Sequence, residues 1–216
     1  PPSLPFPYLF THPPPHCASL SLHLTSCTTV FYLFLLYLSP VPMSTTVSAL
    51  YKTRVSLSNA AKQVSINRLN VAVASVVDLH AQTKHAHWNV KGPSFRSLHL
   101  LFDDQAQILP GFSDLMAERA VLLGGVAKGT LPDALSASVI DKFPSNVATM
   151  SDMEILARIA DGFGTVGAYC RDSIQATAEA GDECTADLFT EVTRGLDRAT
   201  WFLEAHLQDK PAEVDN

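Results

Sequence analysis

Apolar residues recur at helical spacing along most of the chain beyond residue 58, and they predict four long helices. The first runs from about Asn59 to Asn89, with Ile66, Leu69, Val73, Val76 and Val77 on one stripe. That stripe continues as His80, Lys84 and His87, so its last turns become polar on the side facing the core. The second runs from about Ser94 to Leu123, with Leu98, Phe102, Ile108, Leu109, Phe112, Leu115 and Met116 facing inward. Gly124-Gly125 stops it. A long connection with Gly and Pro signals follows, with room for one short helical piece at Leu135 to Ile140. The third long helix starts at Ser151, which forms a capping box with Glu154. Ile155, Ile159, Phe163, Val166, Cys170 and Ile174 line one face, and Gly181 ends it. The fourth runs from about Glu183 to Gln208, with Leu188, Val192, Leu196, Leu203 and Leu207 inward and Pro211 beyond its end. No strand pattern, internal repeat or phosphate-binding loop appears. The fold class is therefore all-α. One long link, between the second and third helices, marks a four-helix bundle with a single crossover, the ferritin-like connectivity.

Composition divides the chain. Residues 1–51 contain no Asp, Glu, Lys or Arg, and the first methionine is Met43. A secretory signal would need a basic start, and none is present. A membrane helix needs about 20 predominantly apolar residues. Residues 17–39 approach that length, but Ser, Thr and His dilute the front half. The reading taken is that translation starts at Met43 and that 1–42 is upstream sequence, a targeting or anchoring segment being the alternative. The segments expected are then 1–42, an N-terminal tail at 43–58, the bundle at 59–208 and a C-terminal tail at 209–216. A start at Met43 implies a cytoplasmic protein with no membrane partner. A real 1–42 would imply an organelle or a membrane.

The net charge of −6 is not that of a basic nucleic-acid binder. The four cysteines, Cys17, Cys27, Cys170 and Cys184, have no zinc or disulfide-framework spacing.

The chemistry is concentrated in "HAHWNVKGPSFRSLHLLFDDQAQILPGFSDLMAE", residues 85–118. His99 and Asp103 are four apart, so they share one helix face, and Asp114 and Glu118 repeat the spacing. His87 ends the first helix. Mixed imidazole and carboxylate donors suit iron, manganese or zinc, and the absence of thiolates argues against a structural zinc site. Asp103 and Asp114 are separated by about 16 Å along a straight helix, so they cannot serve one metal from the same helix. Either the two pairs are unrelated, or the site forms between antiparallel chains. An intrachain di-iron site would use Glu-x-x-His motifs, and the chain has none.

The run "HAHWNVKGPSF…LHLLFD…SDLMAERAVLLGG" resembles the Dps family, the mini-ferritins, in residue type and in spacing. The similarity extends from about Leu50 to Leu207. It includes "ALYKTR" before the first helix and "TADLFT…LDRATWFLE" in the fourth. The resemblance implies that His87, His99 and Asp103 of one subunit face Asp114 and Glu118 of a neighbour across a two-fold axis. It implies a hollow dodecamer. That shell would bind Fe(II), as many as two ions per inter-subunit site, oxidise it preferentially with hydrogen peroxide over oxygen, and store the ferric product.

Other residues are weighed against simpler roles. Trp88 is either core packing or an electron donor beside the site. Asp182, Glu183 and Asp187 sit where the resemblance implies an acidic three-fold pore, the alternative being charge that complements a helix dipole. His85 is expected on the surface, and Asp104 in solvent. Pro110-Gly111 interrupts the second helix between the ligand pairs and is expected to kink it. Gly162, Gly164 and Gly167 are expected to permit close helix contact. Lys52 and Arg54 are the only basic residues between Met43 and the first helix, so DNA binding is expected to be weak or absent.

Overall fold

The computed structural model describes residues 50–208. The readings of 1–42, of most of the N-terminal tail and of 209–216 fall outside the described residues.

Five helices occur in the order α1 (Asn59–Asn89), α2 (Phe95–Leu122), α3 (Leu131–Ala137), α4 (Asp152–Glu179) and α5 (Glu183–Glu204), with no strand among the described residues. Each start has a local cause. Ser58 accepts the Ala61 N–H at the head of α1. Thr130 with Asp133, and Ser151 with Glu154, form reciprocal capping boxes that open α3 and α4. Asp182 caps α5. Gly124 and Gly181 follow α2 and α4 with φ of +94° and +88°, the left-handed backbone that ends helices at low steric cost.

α1 packs along α2, and α4 along α5; the two hairpins close on each other through α1 with α4 and α2 with α5. The segment carrying α3 crosses between them, and α3 lies against α1. Phe102, Phe163, Phe189, Leu69, Leu79, Leu98 and Met116 are fully buried in the shared core. Each such side chain contributes about 1.5–3 kcal/mol by leaving water. Gly162 brings α4 close to α1, because a Cβ there would lie 3.0 Å from Leu79 Cδ1. Gly164 and Gly167 show no comparable contact.

Four expectations are corrected. Ile108 and Leu115, read as inward, are exposed on α2, and with Leu122 they form a stripe at seven-residue spacing. Leu109 and Met116 take the inward direction. Their neighbours one residue earlier lie about 100° further round, beyond the arc the bundle covers. The short helix spans Leu131–Ala137 rather than Leu135–Ile140. The Thr130–Asp133 capping box and a proline in the first turn set its start, and these outweigh the apolar spacing. α5 ends at Glu204, and Leu207 is exposed beyond it. Finally, α2 runs unbroken from Phe95 to Leu122 with Pro110 inside it. The pairs His99–Asp103 and Asp114–Glu118 therefore share one helix.

None of the described helices is long and apolar enough to cross a membrane.

Candidate metal centre

α1 and α2 form a hairpin whose turn brings His87 and His99 face to face. Their rings stack at 3.8 Å between centroids, with planes 20° apart. His87 Nδ1 lies 2.7 Å from the His99 carbonyl oxygen, and His99 Nδ1 lies 2.9 Å from the His87 carbonyl oxygen. A carbonyl oxygen only accepts, so both Nδ1 atoms carry the proton. In a neutral imidazole that leaves the Nε2 lone pair for a metal. The backbone thus fixes the tautomer and aim of both rings, as outer partners of metal-binding histidines do. Phe95 flanks His99 at 5.2 Å between ring centroids.

Asp103 lies one turn beyond His99 and is half-buried. Lys84 Nζ donates to its Oδ1 at 2.6 Å, and Gln107 Nε2 donates to its Oδ2 at 3.2 Å. The Lys84 hydrogen bond, outweighing desolvation and aided by the lysine charge, holds the Asp103 carboxyl below the usual range. Asp103 is therefore an anion at neutral pH. Lys84, half-buried on α1, had been legible only as part of a polar stripe; its one-turn spacing before His87 was the available signal.

Asp114 and Glu118 are exposed, one turn apart, further along α2. Among the described residues no group of three or more His, Cys, Asp or Glu side chains is placed to hold a metal within the chain. The chain thus carries a histidine pair with Asp103 alongside, and a separate acidic pair.

The remaining residues sort differently from expectation. Trp88 is 69% exposed, which removes the core-packing reading. Asp104 is exposed, as expected. His85 is not a surface residue: it sits half-buried under the crossover, edge-on to Phe143 at 5.7 Å between ring centroids. Its Nε2 is buried with no hydrogen-bond partner. The i, i+2 step that turned it away from His87 turned it under the loop. Burial first, and the Lys84 charge second, lower the pKa of His80.

Asp182 departs most. It is 1% exposed and fully engaged: Thr185 N–H and Oγ1, Ser65 Oγ and Arg119 Nη2 all donate to it. A carboxylate spent on a helix cap and a buried ion pair has nothing left for a pore. Glu183 and Asp187 stay exposed, one turn apart on α5.

Comparisons with known proteins place the fold in a family. The Ferritin family profile, described as a ferritin-like domain, matches residues 66–211. The DNA protection during starvation protein of Agrobacterium fabrum is 41% identical over 160 residues, covering 74% of this chain and 98% of the relative. Among solved structures, DpsC from Streptomyces coelicolor superposes with a TM-score of 0.71 at 31% identity, covering 77% of this chain and 96% of that one. A Dps protein from Bacillus brevis gives 0.65 at 30% identity, covering 70% of this chain and all of the other (100%). An all-helical bundle with one crossover, histidine and carboxylate pairs on the first hairpin, and these relatives lead to one assignment: the chain belongs to the Dps family of ferritin-like proteins, a family of iron storage and oxidative protection.

Proposed function

We propose that the chain is the subunit of a ferroxidase and iron-storage shell, a dodecamer in which each oxidation site is shared between two subunits. The observation that carries this reading is the reciprocal His87–His99 pair, which leaves two Nε2 lone pairs beside the ionised Asp103. Asp114 and Glu118 of the neighbouring subunit complete the donor set. Two imidazoles with carboxylates bind Fe(II), and the hard carboxylate oxygens favour the ferric product. Each Fe(II) gives up one electron. Two of them reduce one hydrogen peroxide to two waters, with two protons taken up. Spending peroxide and Fe(II) together withholds both from radical chemistry. Lys84 holds Asp103 in place until an arriving cation shares or displaces its ammonium. Trp88, adjacent to His87 and solvent-exposed, is placed to donate an electron to a stray oxidant. Glu183 and Asp187 attract cations toward an entry pore. The shell works in the cytoplasm.

The test is peroxide-driven Fe(II) oxidation by the assembled protein, with native mass spectrometry to count subunits. Loss of an outer partner alone costs a metal site about 10–100-fold, so His99→Ala should slow oxidation at least tenfold while the shell persists. Oxidation at the full rate by His99→Ala would defeat the reading.

Charge supports little affinity for DNA. Binding strength follows the number of phosphates neutralised, and the net charge is −6. A gel shift should show weak binding that modest salt abolishes. Sub-micromolar binding at physiological salt would favour the rival reading, a DNA-structuring protein with secondary iron chemistry.

A further inference from the structure

We infer that Asp152, at the start of α4, is a positioning residue for the histidine half of the metal site. It clamps the turn that sets α1 and α2 against each other. The inference rests on the reading of His87 and His99 as metal ligands.

The turn at residues 90–94 is the only covalent link between the helices carrying those histidines. α2 begins at this turn without a side-chain cap of its own, since the Ser94 hydroxyl caps nothing there. An acceptor for the N-cap residue's own N–H comes from across the bundle: Asp152 Oδ2 takes the Ser94 N–H at 3.0 Å. Asp152 is 8% exposed, and its other oxygen takes the Met153 N–H at 3.0 Å. α4 does not need Oδ2 for its own start, because the Ser151–Glu154 box already serves its first turn. A carboxylate at the head of α2 is also favoured by that helix's dipole.

Gly92 shows how closely the turn is drawn in. Its φ is +129°, and a Cβ there would sit 2.8 Å from Asp152 Oδ2. Backbone and carboxylate therefore meet so closely that a side chain at 92 would have to displace Asp152. What the clamp protects is a pair of bonds that depend on both helices at once. Each ring bonds the other helix's backbone, His87 Nδ1–H to the His99 carbonyl and His99 Nδ1–H to the His87 carbonyl. A change of one residue in where α2 begins would rotate His99 by about 100° and break both bonds. With the bonds gone, the tautomer and the aim of both Nε2 lone pairs are no longer fixed.

The test is anaerobic Co(II) titration of the assembled protein, read by the visible absorption bands that report the ligands. The unsubstituted protein should bind through His99, with His99→Ala losing the band. Asp152→Ala should bind roughly tenfold more weakly with a shifted band, the scale seen for outer partners of metal ligands. Asp152→Asn should stay within about twofold, because its amide oxygen still accepts the Ser94 N–H. A general loss of stability would move the melting temperature but not the band, and Asn would not rescue it selectively. An unaltered band and affinity in Asp152→Ala, or a loss in Asp152→Asn as large as in Asp152→Ala, would overturn the proposal. If Asp152→Ala does not assemble, Asp152→Asn and Gly92→Ala decide. Gly92→Ala both strains a backbone at φ +129° and crowds the Asp152 carboxylate, so it should bind weakly, and normal binding there would overturn the clamp. Absence of His99-dependent Co(II) binding in the unsubstituted protein would overturn the site reading itself, and this proposal with it.

Discussion

Co-assembly of His99→Ala subunits with Asp114→Ala subunits should restore ferroxidase activity that each variant alone has largely lost. The expectation follows from one helix carrying both ligand pairs without a break. Asp103 and Asp114 are about 16 Å apart along α2, so one chain cannot wrap both around one ion. A two-fold interface is isologous: each subunit gives its histidine half to one site and its acidic half to the other. In a mixed pair, one site collects both defects. The other draws its histidine from the Asp114→Ala chain and its aspartate from the His99→Ala chain, and is intact. Half the sites of a mixed pair should work, and random co-assembly should recover about a quarter of full activity. Activity is measured on shells whose mixed composition is verified by native mass spectrometry. Mixed shells as inactive as the parents would mean that the site lies within one chain.

The helices, and the candidate ligand pairs, were legible because each rests on a short-range pattern. Apolar spacing marked α1, α2, α4 and α5, and the Ser151–Glu154 box located the α4 start to within one residue, Ser151 being its cap and Asp152 its first member. His99–Asp103 and Asp114–Glu118 were visible as one-turn pairs, and the distance between them posed the question of a second chain. What was not legible depends on direction around a helix or on contacts distant in sequence. Ile108 and Leu115 belong to an apolar surface on α2 wider than the core it covers, and periodicity gives no edge to that arc. The crossover was misread because the apolar Leu135–Ile140 spacing competed with a cap and a proline, and backbone hydrogen bonding decided it. Lys84 reaches Asp103 across 19 positions of sequence, and Asp152 reaches Ser94 across 58. Spacing put Lys84 on the face of His87 but did not give its partner, and no local pattern announces Asp152. For the same reason the sequence left Asp182 between a pore and a helix terminus, and its burial as the α5 cap favours the terminus. Its neighbours in sequence are acidic and exposed, but its partners Ser65 and Arg119 come from α1 and α2.

Asp182→Ala should be the most destabilising single change outside the apolar core, by about 3–5 kcal/mol, because it strands a buried cation. Arg119 Nη2 sits 2.7 Å from Asp182 Oδ1, with the arginine side chain 15% exposed and the aspartate 1%. Without the carboxylate, Arg119 keeps its bond to Thr185 but loses its counter-charge, Ser65 loses its acceptor, and α5 loses its cap. Asp182→Asn keeps an acceptor for the Thr185 N–H and should cost less. At a few degrees per kcal/mol for a chain of this size, thermal unfolding of Asp182→Ala should begin roughly 6–20 °C early. The same network makes a pH prediction. Burial alone would raise the Asp182 pKa, but hydrogen bonds from Thr185 and Ser65 and the Arg119 charge outweigh it and leave the pKa lowered. A group with a depressed folded pKa binds protons more readily when unfolded. Its stabilisation is therefore complete above the ordinary aspartate value of about 3.9 and is lost as pH falls through the folded value. Melting curves collected down that range should converge for the unsubstituted protein and Asp182→Asn. A constant gap between them at low pH, or an Asp182→Ala protein that melts with the unsubstituted one at neutral pH, would show that this ion pair does not hold α1, α2 and α5 together.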